Sequence, residues 1–368
     1  MEEAHEWVEY CQGSPNSTQG RRRAAHGHPQ PYSMGAWEFG NELYDDTQLG
    51  WYQPEGYAAR YLDFFRAIAP IVPAETPLLA TGGELNAFDK WNGALLHTAG
   101  RELRYVTTHL VADLEQTLNR KADLDAVVAA DLALPVGVGR ALGKIRAQID
   151  ADPLTSNRVK VAYSEWMFRS PAGSRLPNFD NMGGAVIAAA WLNMLARNAD
   201  WIPIANMTGL VEFGGIHKRR GRVYVTPQYW DLYLYSKYAG DTVIGTETRV
   251  RQYDVHAGQS FAPEIPAVPY LDVLGTANSK NGDVSLFVVN RSPKSSQPVS
   301  IHLSGFTPPK DVKVVTLASP SLVDTNDEEH QYTVRPVESH DLIEGTALRH
   351  ALPAASVTVF SFSGSRRK

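Results

Sequence analysis

The chain has 368 residues, 43% of them hydrophobic and 20% charged, with a formal net charge of −5. A chain of that length and apolar content can bury a sizeable core and fits two domains, which excludes disorder as its main character. The acidic balance gives no basis for binding nucleic acid or an anionic membrane surface, so a neutral ligand fits better.

Met1-Glu2-Glu3-Ala4-His5-Glu6 is too acidic for a signal peptide, and no run has the length of a membrane span. On that ground a cytoplasmic location is the default expectation. Ala4, Trp7, Val8 and Cys11 recur at helical spacing and predict a helix over the first fifteen or so residues. Cys11 is the only cysteine, which excludes an intrachain disulfide and a Cys-rich metal site. A loop rich in Gly, Ser, Asn, Arg and Pro is expected from there through Tyr32, with Arg21-Arg22-Arg23 inside it. The glycosylation triplets at Asn16, Asn206 and Asn290 read as ordinary polar positions.

Ala36-Trp37-Glu38-Phe39-Gly40-Asn41-Glu42 then reads as a short buried strand ending in a carboxylate. A helix near Tyr57 to Ile68 follows, with Ala58, Tyr61, Leu62 and Phe65 on its apolar face. Next come a strand at Pro77–Gly82, a helix around Trp91 to Thr98, and a strand from Tyr105 to Val111 that contains His109. A long helical region is expected from about Asp113 to Ile149, interrupted near Pro135. Val159 to Trp166 is a fourth strand, again ending in a glutamate, Glu165; Met182 to Arg197 is an apolar helix, and Trp201 to Asn206 a fifth strand. Alternating strands and helices imply parallel strands joined by right-handed crossovers.

The basic run His217-Lys218-Arg219-Arg220-Gly221-Arg222 is expected to be a solvated loop, followed by a helix near Gln228 to Tyr238. From about Asp241 the texture becomes strand and turn, as in Ser285–Asn290, Val299–Leu303, Val312–Leu317 and Ala355–Phe362, which reads as an antiparallel β-sandwich. The change places a domain boundary near residue 240, giving a catalytic unit over 1–240 and a sandwich over 241–368. The Arg366-Arg367-Lys368 tail carries no argument for substrate contact.

Glu42 and Glu165 are the only glutamates that directly end apolar strands. In a parallel barrel both would open on the C-terminal face, where such barrels place their chemistry. Two carboxyl groups facing one another suit glycoside hydrolysis, one protonating the leaving oxygen and the other attacking the anomeric carbon or activating water.

At this point the residues resemble a known family. Ala4-His5-Glu6-Trp7-Val8-Glu9-Tyr10-Cys11, Ala24-Ala25-His26-Gly27-His28-Pro29, Trp37-Glu38-Phe39-Gly40-Asn41-Glu42 and Ser164-Glu165-Trp166 look like glycoside hydrolase family 51, the α-L-arabinofuranosidases. Thr226-Pro227-Gln228-Tyr229-Trp230, Phe287–Ser292 and Leu352–Val359 extend the likeness over nearly the whole chain.

The resemblance implies a (β/α)8 TIM barrel followed by a jelly-roll-like sandwich, with Glu42 as general acid/base on barrel strand 4 and Glu165 as nucleophile on strand 7. It implies that Asn41 donates to the sugar 2-hydroxyl and that His109 lines the pocket; Trp166 could wall the sugar site. The substrate would be an arabinofuranosyl-containing oligo- or polysaccharide, and the reaction would need no metal or organic cofactor.

Three departures stand out. Val111 takes the place of a tyrosine two residues after the strand 6 histidine, and Gly209 takes the place of a glutamine near the end of strand 8. Counting the strand of Glu42 as the fourth leaves only strands 4 to 8, so an N-terminally truncated chain is expected. An endo-β-glucanase or xylanase of the same barrel clan, and an inactive fragment or sugar-binding module, stay open as alternatives, as does a homo-oligomer.

Overall fold

The computed structural model describes residues 1–114, 123–171, 173–256, 264–305, 309–343 and 347–363. The Arg366-Arg367-Lys368 tail and residues 115–122 of the expected long helical region lie outside them. Proximity divides the chain into two compact units, the first being Met1–Leu110, Ala141–Trp166 and Asp200–Asn206, the second Val111–Arg140, Met167–Ala199 and Met207–Lys368.

In chain order, helices α1 (Glu2–Gln12) and α2 (Thr18–Ala25) precede strand β1 (Trp37–Phe39); α3 (Pro54–Ile68), β2 (Leu78–Ala80), α4 (Phe88–Ala99) and β3 (Tyr105–Asp113) follow. Then come α5 (Leu124–Leu132), α6 (Leu134–Asp150), β4 (Lys160–Arg169), α7 (Met182–Arg197) and β5 (Ile204–Met207). These five strands form one sheet in the order β1-β2-β3-β4-β5, and the β1–β2 and β2–β3 pairs run parallel. The strand–helix alternation read from the sequence is thus a five-stranded portion of a barrel-type sheet. Among the described residues, no single helix is long and apolar enough to cross a membrane.

Two local expectations are corrected in this half. The supposed loop up to Tyr32 contains α2, which Ser17 caps by accepting a hydrogen bond from the Gly20 amide at 3.1 Å. Arg23, within that helix, is fully buried rather than solvated. Its guanidinium donates to the carbonyls of Tyr10, Gly13, His28 and Pro29 at 2.7 to 3.1 Å, and so ties α1 to the segment that leads into β1. The strand through His109 also runs on to Asp113, where the long helical region was expected to begin, while the expected interruption near Pro135 is present as the break between α5 and α6.

The second unit continues with a hairpin of β6 (Ile216–Arg219) and β7 (Arg222–Val225), then α8 (Pro227–Tyr238). The basic run is therefore not a loop. Arg220 and Gly221 sit at φ +48° and +78°, the two left-handed positions that a tight two-residue hairpin turn requires. His217 is buried there, with its Nε2 against the Phe213 carbonyl.

The remaining strands are β8 (Thr242–Ile244), β9 (Gln252–Val255), β10 (Ile265–Pro269), β11 (Leu271–Ala277), β12 (Val284–Asn290), β13 (Gln297–His302), β14 (Asp311–Leu317), β15 (Val337–Leu342), β16 (Ala347–Leu352) and β17 (Ser356–Phe362). A six-stranded antiparallel sheet, β15-β14-β17-β12-β11-β8, is joined by the pair β13-β16. Leu286, Val288, Val314 and Phe360 of the large sheet and Leu348 and Leu352 of the pair share one apolar core, which gives the expected sandwich. Helices α7 and α8 belong to this unit too. The α7 helix is apolar nearly all round, as a helix buried on every side must be.

One ion cluster ties α7 to the sandwich. Asp272 on β11 accepts from Asn193 Nδ2 at 2.9 Å, from Arg197 at 2.8 and 3.2 Å, and from Arg291, which is itself fully buried. Burial pushes the Asp272 carboxyl up, but the two guanidinium charges outweigh it and hold the pKa at about 2. With a folded value below the unfolded value of about 3.9, this group stabilises the fold above pH 4, and that contribution is lost as pH falls toward 2. Asp272→Asn leaves Arg291 buried without its counter-charge and is expected to cost ~3–5 kcal/mol in urea denaturation at pH 7. That deficit should narrow in the same experiment as the pH is lowered from 4 to 2.

Candidate active site

The first unit brings most of the sequence-derived candidates together. Strand β1 lasts only from Trp37 to Phe39, with Trp37 and Phe39 buried and Glu38 between them half-buried. Its far end is fixed by side chains rather than by further ladder pairing. The Phe39 carbonyl accepts from Tyr57 Oη of α3 at 2.8 Å and from Thr81 Oγ1 at 3.2 Å, and Tyr57 Oη accepts from the Thr81 amide at 2.7 Å.

The chain then turns sharply, with Gly40 at φ +107° and Glu42 at φ +48°. A left-handed glutamate is uncommon, and such conformations persist where the surroundings over-determine them. Gly40 is required in this turn, because a Cβ there would lie 2.4 Å from Leu43 Cδ1 in a conformation that side chains disfavour.

The turn delivers Glu42, about one quarter exposed, to His109 of β3. Glu42 Oε1 lies 3.0 Å from His109 Nδ1, and the other ring nitrogen, Nε2, lies 2.9 Å from Ser164 Oγ on β4. His109 is buried. The neighbouring Glu165 is half-buried, and its charge reaches two groups on the β1 side of the sheet, Tyr44 and Glu38. The Tyr44 hydroxyl is pushed upward first by burial and then by Glu42, Glu84, Asp45 and Glu165. The structure corrects one expectation here: β4 runs on to Arg169, so Glu165 lies within its strand rather than at its end.

Asn41 is exposed beside Glu42. Trp166 is the exception among the candidates, since it is 1% exposed and buried in the core, with no open face against which a sugar could stack.

Beside Glu42 lies a cleft of about 540 Å³, lined by Tyr44, Asp45, Trp51, Tyr52, Glu84 and Trp91 among others. Trp91 stacks on Tyr57 at 5.0 Å and meets Tyr44 edge-on at 5.8 Å, so the aromatic wall continues into the core. Trp51 is 46% exposed. Aromatic faces interleaved with carboxylates suit a sugar, whose C–H faces stack while its hydroxyls donate.

Four residues beside the site went unrecognised in the sequence: Tyr44, Ser164, and Glu38 with Thr107, whose Oγ1 donates to Glu38 Oε1 at 2.9 Å. For Glu38 a signal existed, since a lone carboxylate alternating with Trp37 and Phe39 must occupy the other face of the strand. Of the two departures from the family pattern, Val111 is 37% exposed on β3, and Gly209 sits at φ +68° in a turn where a Cβ would lie 2.5 Å from the Phe213 ring. Among the described residues no group of three or more His, Cys, Asp or Glu side chains is arranged to hold a metal.

Comparison with known proteins agrees with this architecture. The family described as Alpha-L-arabinofuranosidase C-terminal domain matches residues 161–356, and that described as Alpha-L-arabinofuranosidase 1 domain matches residues 1–126. This chain belongs to the α-L-arabinofuranosidase family.

Among its relatives are a probable α-L-arabinofuranosidase C of Aspergillus clavatus, 24% identical over 79% of this chain and 59% of its own length, and an intracellular exo-α-(1→5)-L-arabinofuranosidase 1 of Bacillus subtilis, 22% identical over 91% and 67%. The chain therefore spans about three fifths to two thirds of the curated relatives. The solved α-L-arabinofuranosidase of Thermotoga maritima, an arabinose complex, shares its fold with a TM-score of 0.85 at 23% identity over 98% of this chain and 73% of that one. The family 51 resemblance and the barrel-plus-sandwich fold class read from the motifs both hold.

The turn at Gly40 yields a direct test. Gly40→Ala should lower stability by about 1–3 kcal/mol in urea denaturation, because alanine must adopt a disfavoured φ while displacing Leu43. An unchanged midpoint would show that the turn is not constrained as described.

Proposed function

We propose that this chain releases terminal α-L-arabinofuranosyl groups from arabinan- or arabinoxylan-type chains by double displacement, with Glu42 as acid/base and Glu165 as nucleophile. The observation that carries the reading is geometric: Glu42 is paired to His109 Nδ1 at 3.0 Å, and the other nitrogen of that ring meets Ser164 Oγ, the residue next to Glu165 on β4, at 2.9 Å. Family membership supports the reaction class.

In the first step protonated Glu42 gives its proton to the glycosidic oxygen while a Glu165 oxygen attacks the anomeric carbon. The C–O bond to the leaving group breaks as the glycosyl ester forms. In the second step Glu42, now ionised, takes a proton from water, whose oxygen attacks the same carbon and expels Glu165 as a carboxylate. Both steps balance with carboxyl groups and water alone. The role needs Glu42 to change protonation state once in each half of the cycle, and the imidazole 3.0 Å away is placed to accept from the acid form or donate to the base form.

Asn41, exposed next to Glu42, is suited to donate to the sugar 2-hydroxyl. The aromatic cleft of Tyr44, Trp51 and Tyr52 is suited to hold the leaving-group sugars. His109, buried at the floor, acts on Glu42 rather than on the substrate. Trp166, lacking an exposed face, is assigned no sugar contact.

Two substitutions test the roles separately. Glu165→Ala should abolish hydrolysis of aryl α-L-arabinofuranosides, and added azide should restore turnover with a glycosyl azide of inverted anomeric configuration as product; full activity in the variant would sink the nucleophile assignment. Glu42→Ala should lower kcat/KM much more for arabino-oligosaccharides than for aryl glycosides with activated leaving groups, since only the former need protonation. Equal losses on both substrates would remove Glu42 from the acid role.

A further inference from the structure

A second cleft lies within the second unit, and the proposed reaction uses none of its residues. Helix α8 carries Trp230, Tyr233, Leu234, Lys237 and Tyr238 at i, i+3, i+4, i+7 and i+8, so one face of the helix holds them all. Leu234 and Val315 of β14 are buried at the base, and the other four residues form one wall of a cavity of about 260 Å³. The facing wall carries Tyr332 and Arg335, with Glu338 of β15 beside them.

Both walls are fixed. Asn326 is buried and donates to the carbonyls of Val225 and Val334 at 2.9 Å each, and it accepts from the Val334 amide at 2.8 Å, which pins the loop before β15. Trp230 Nε1 donates to the same Val334 carbonyl at 3.2 Å, and its ring meets Tyr233 edge-on at 5.7 Å. The tyrosine rings nonetheless stay open to solvent, Tyr233 being 39% exposed and Tyr332 63%.

The charges of the cleft are unequal. Lys237 Nζ donates to Tyr233 Oη at 3.0 Å and lies 5.2 Å from the ring centroids of Tyr233 and Tyr238, so the tyrosines hold it in place without neutralising it. Glu338 is the one carboxylate lining the cleft among the described residues, and Lys313 Nζ already holds it at 3.0 Å. Among the described residues no carboxylate lies within ion-pairing distance of Lys237 or Arg335. Three cations thus stand against one carboxylate.

Exposed aromatic rings suit the C–H face of a sugar, and a guanidinium offers paired N–H groups to a carboxylate. A uronic acid carries both features on one ring. The cavity is smaller than the ~300–1,000 Å³ of pockets that enclose a whole small molecule, so it fits one ring of a longer chain.

We propose that this cleft binds a uronic acid unit of an acidic polysaccharide, with Tyr233 and Tyr332 against the sugar ring and Arg335 and Lys237 meeting its carboxylate. Binding there tethers the chain to a polymer without engaging Glu42 or Glu165. The choice of a sugar over other ring-bearing acids rests on the proposed glycosidase reaction.

The test is migration of the full chain in native gels containing polygalacturonate, with the same polymer after reduction of its carboxyl groups as the neutral comparison. The acidic polymer should retard the wild type and the reduced polymer should not. Arg335→Ala and Tyr332→Ala, both at exposed positions, should each weaken binding about tenfold, the loss of a charge-assisted hydrogen bond or a stacking contact. Arg249→Ala removes an exposed cation elsewhere and should bind as the wild type does. Wild-type retardation of Arg335→Ala and Tyr332→Ala, an equal loss in Arg249→Ala, or equal retardation by the reduced polymer overturns the proposal. So does a changed elution volume of the Tyr332→Ala chain in size exclusion, which would make the cleft a contact between copies. The rate on an aryl α-L-arabinofuranoside should be the same in all these forms; if none hydrolyses it, the proposed activity fails and the gels still decide the cleft.

Discussion

The candidate site depends on one backbone carbonyl. Phe39 is the last residue of β1, and beyond it the chain must leave the sheet at once to bring Glu42 back over the strand ends. A carbonyl at the end of a three-residue strand would ordinarily look to water or to a longer ladder. Here Tyr57 and Thr81 supply its donors. With that oxygen held, Gly40 and Glu42 can occupy left-handed conformations without the turn relaxing, and the Glu42 carboxyl meets a buried imidazole whose other nitrogen is also occupied. Each contact removes a freedom that would otherwise blur the position of the acid.

Two polar pairs drawn from three strands lie near Glu42: Thr107 Oγ1 donates to Glu38 Oε1, and His109 Nε2 meets Ser164 Oγ, while Trp37, Phe39 and Trp166 are buried in the core. Two layers therefore face two solvents: hydrocarbon around the strands' apolar residues, and a network of hydroxyls, carboxyls and one imidazole at the site. A buried network of that kind is stable only when its members satisfy one another. In the second unit the Asp272 cluster obeys the same rule for a structural purpose, joining α7 to the sandwich with charges that cancel in place.

The apolar runs before Glu42 and Glu165 were legible as strands and the alternation of strand and helix gave the parallel sheet, but the expectation that both glutamates end their strands does not hold: β1 stops at Phe39, three residues before Glu42, and β4 continues past Glu165 to Arg169. The sequence showed the sandwich through short strands of period two. It hid α2, whose eight residues hold three arginines and a glycine and whose anchoring comes from a buried guanidinium reaching carbonyls up to thirteen residues away. The basic hairpin was hidden as well, since positive charge suggests exposure while the Arg-Gly pair at its tip says nothing of pairing until the flanking strands are seen. Trp166 was misplaced because adjacency to Glu165 in sequence says nothing of exposure, and its ring is buried in the core. Glu38 passed unnoticed inside an otherwise apolar motif.

The two departures from the family pattern differ in depth. Val111 lies on a regular strand and is partly exposed, so a larger polar side chain could stand in its place with the backbone unmoved. Gly209 is different, because its φ is positive and Phe213 fills the space a Cβ would need. Restoring a glutamine there would demand a new course for the loop and a new seat for an aromatic ring. A polar side chain at 111 is thus a matter of one substitution, whereas at 209 it is a matter of the main chain.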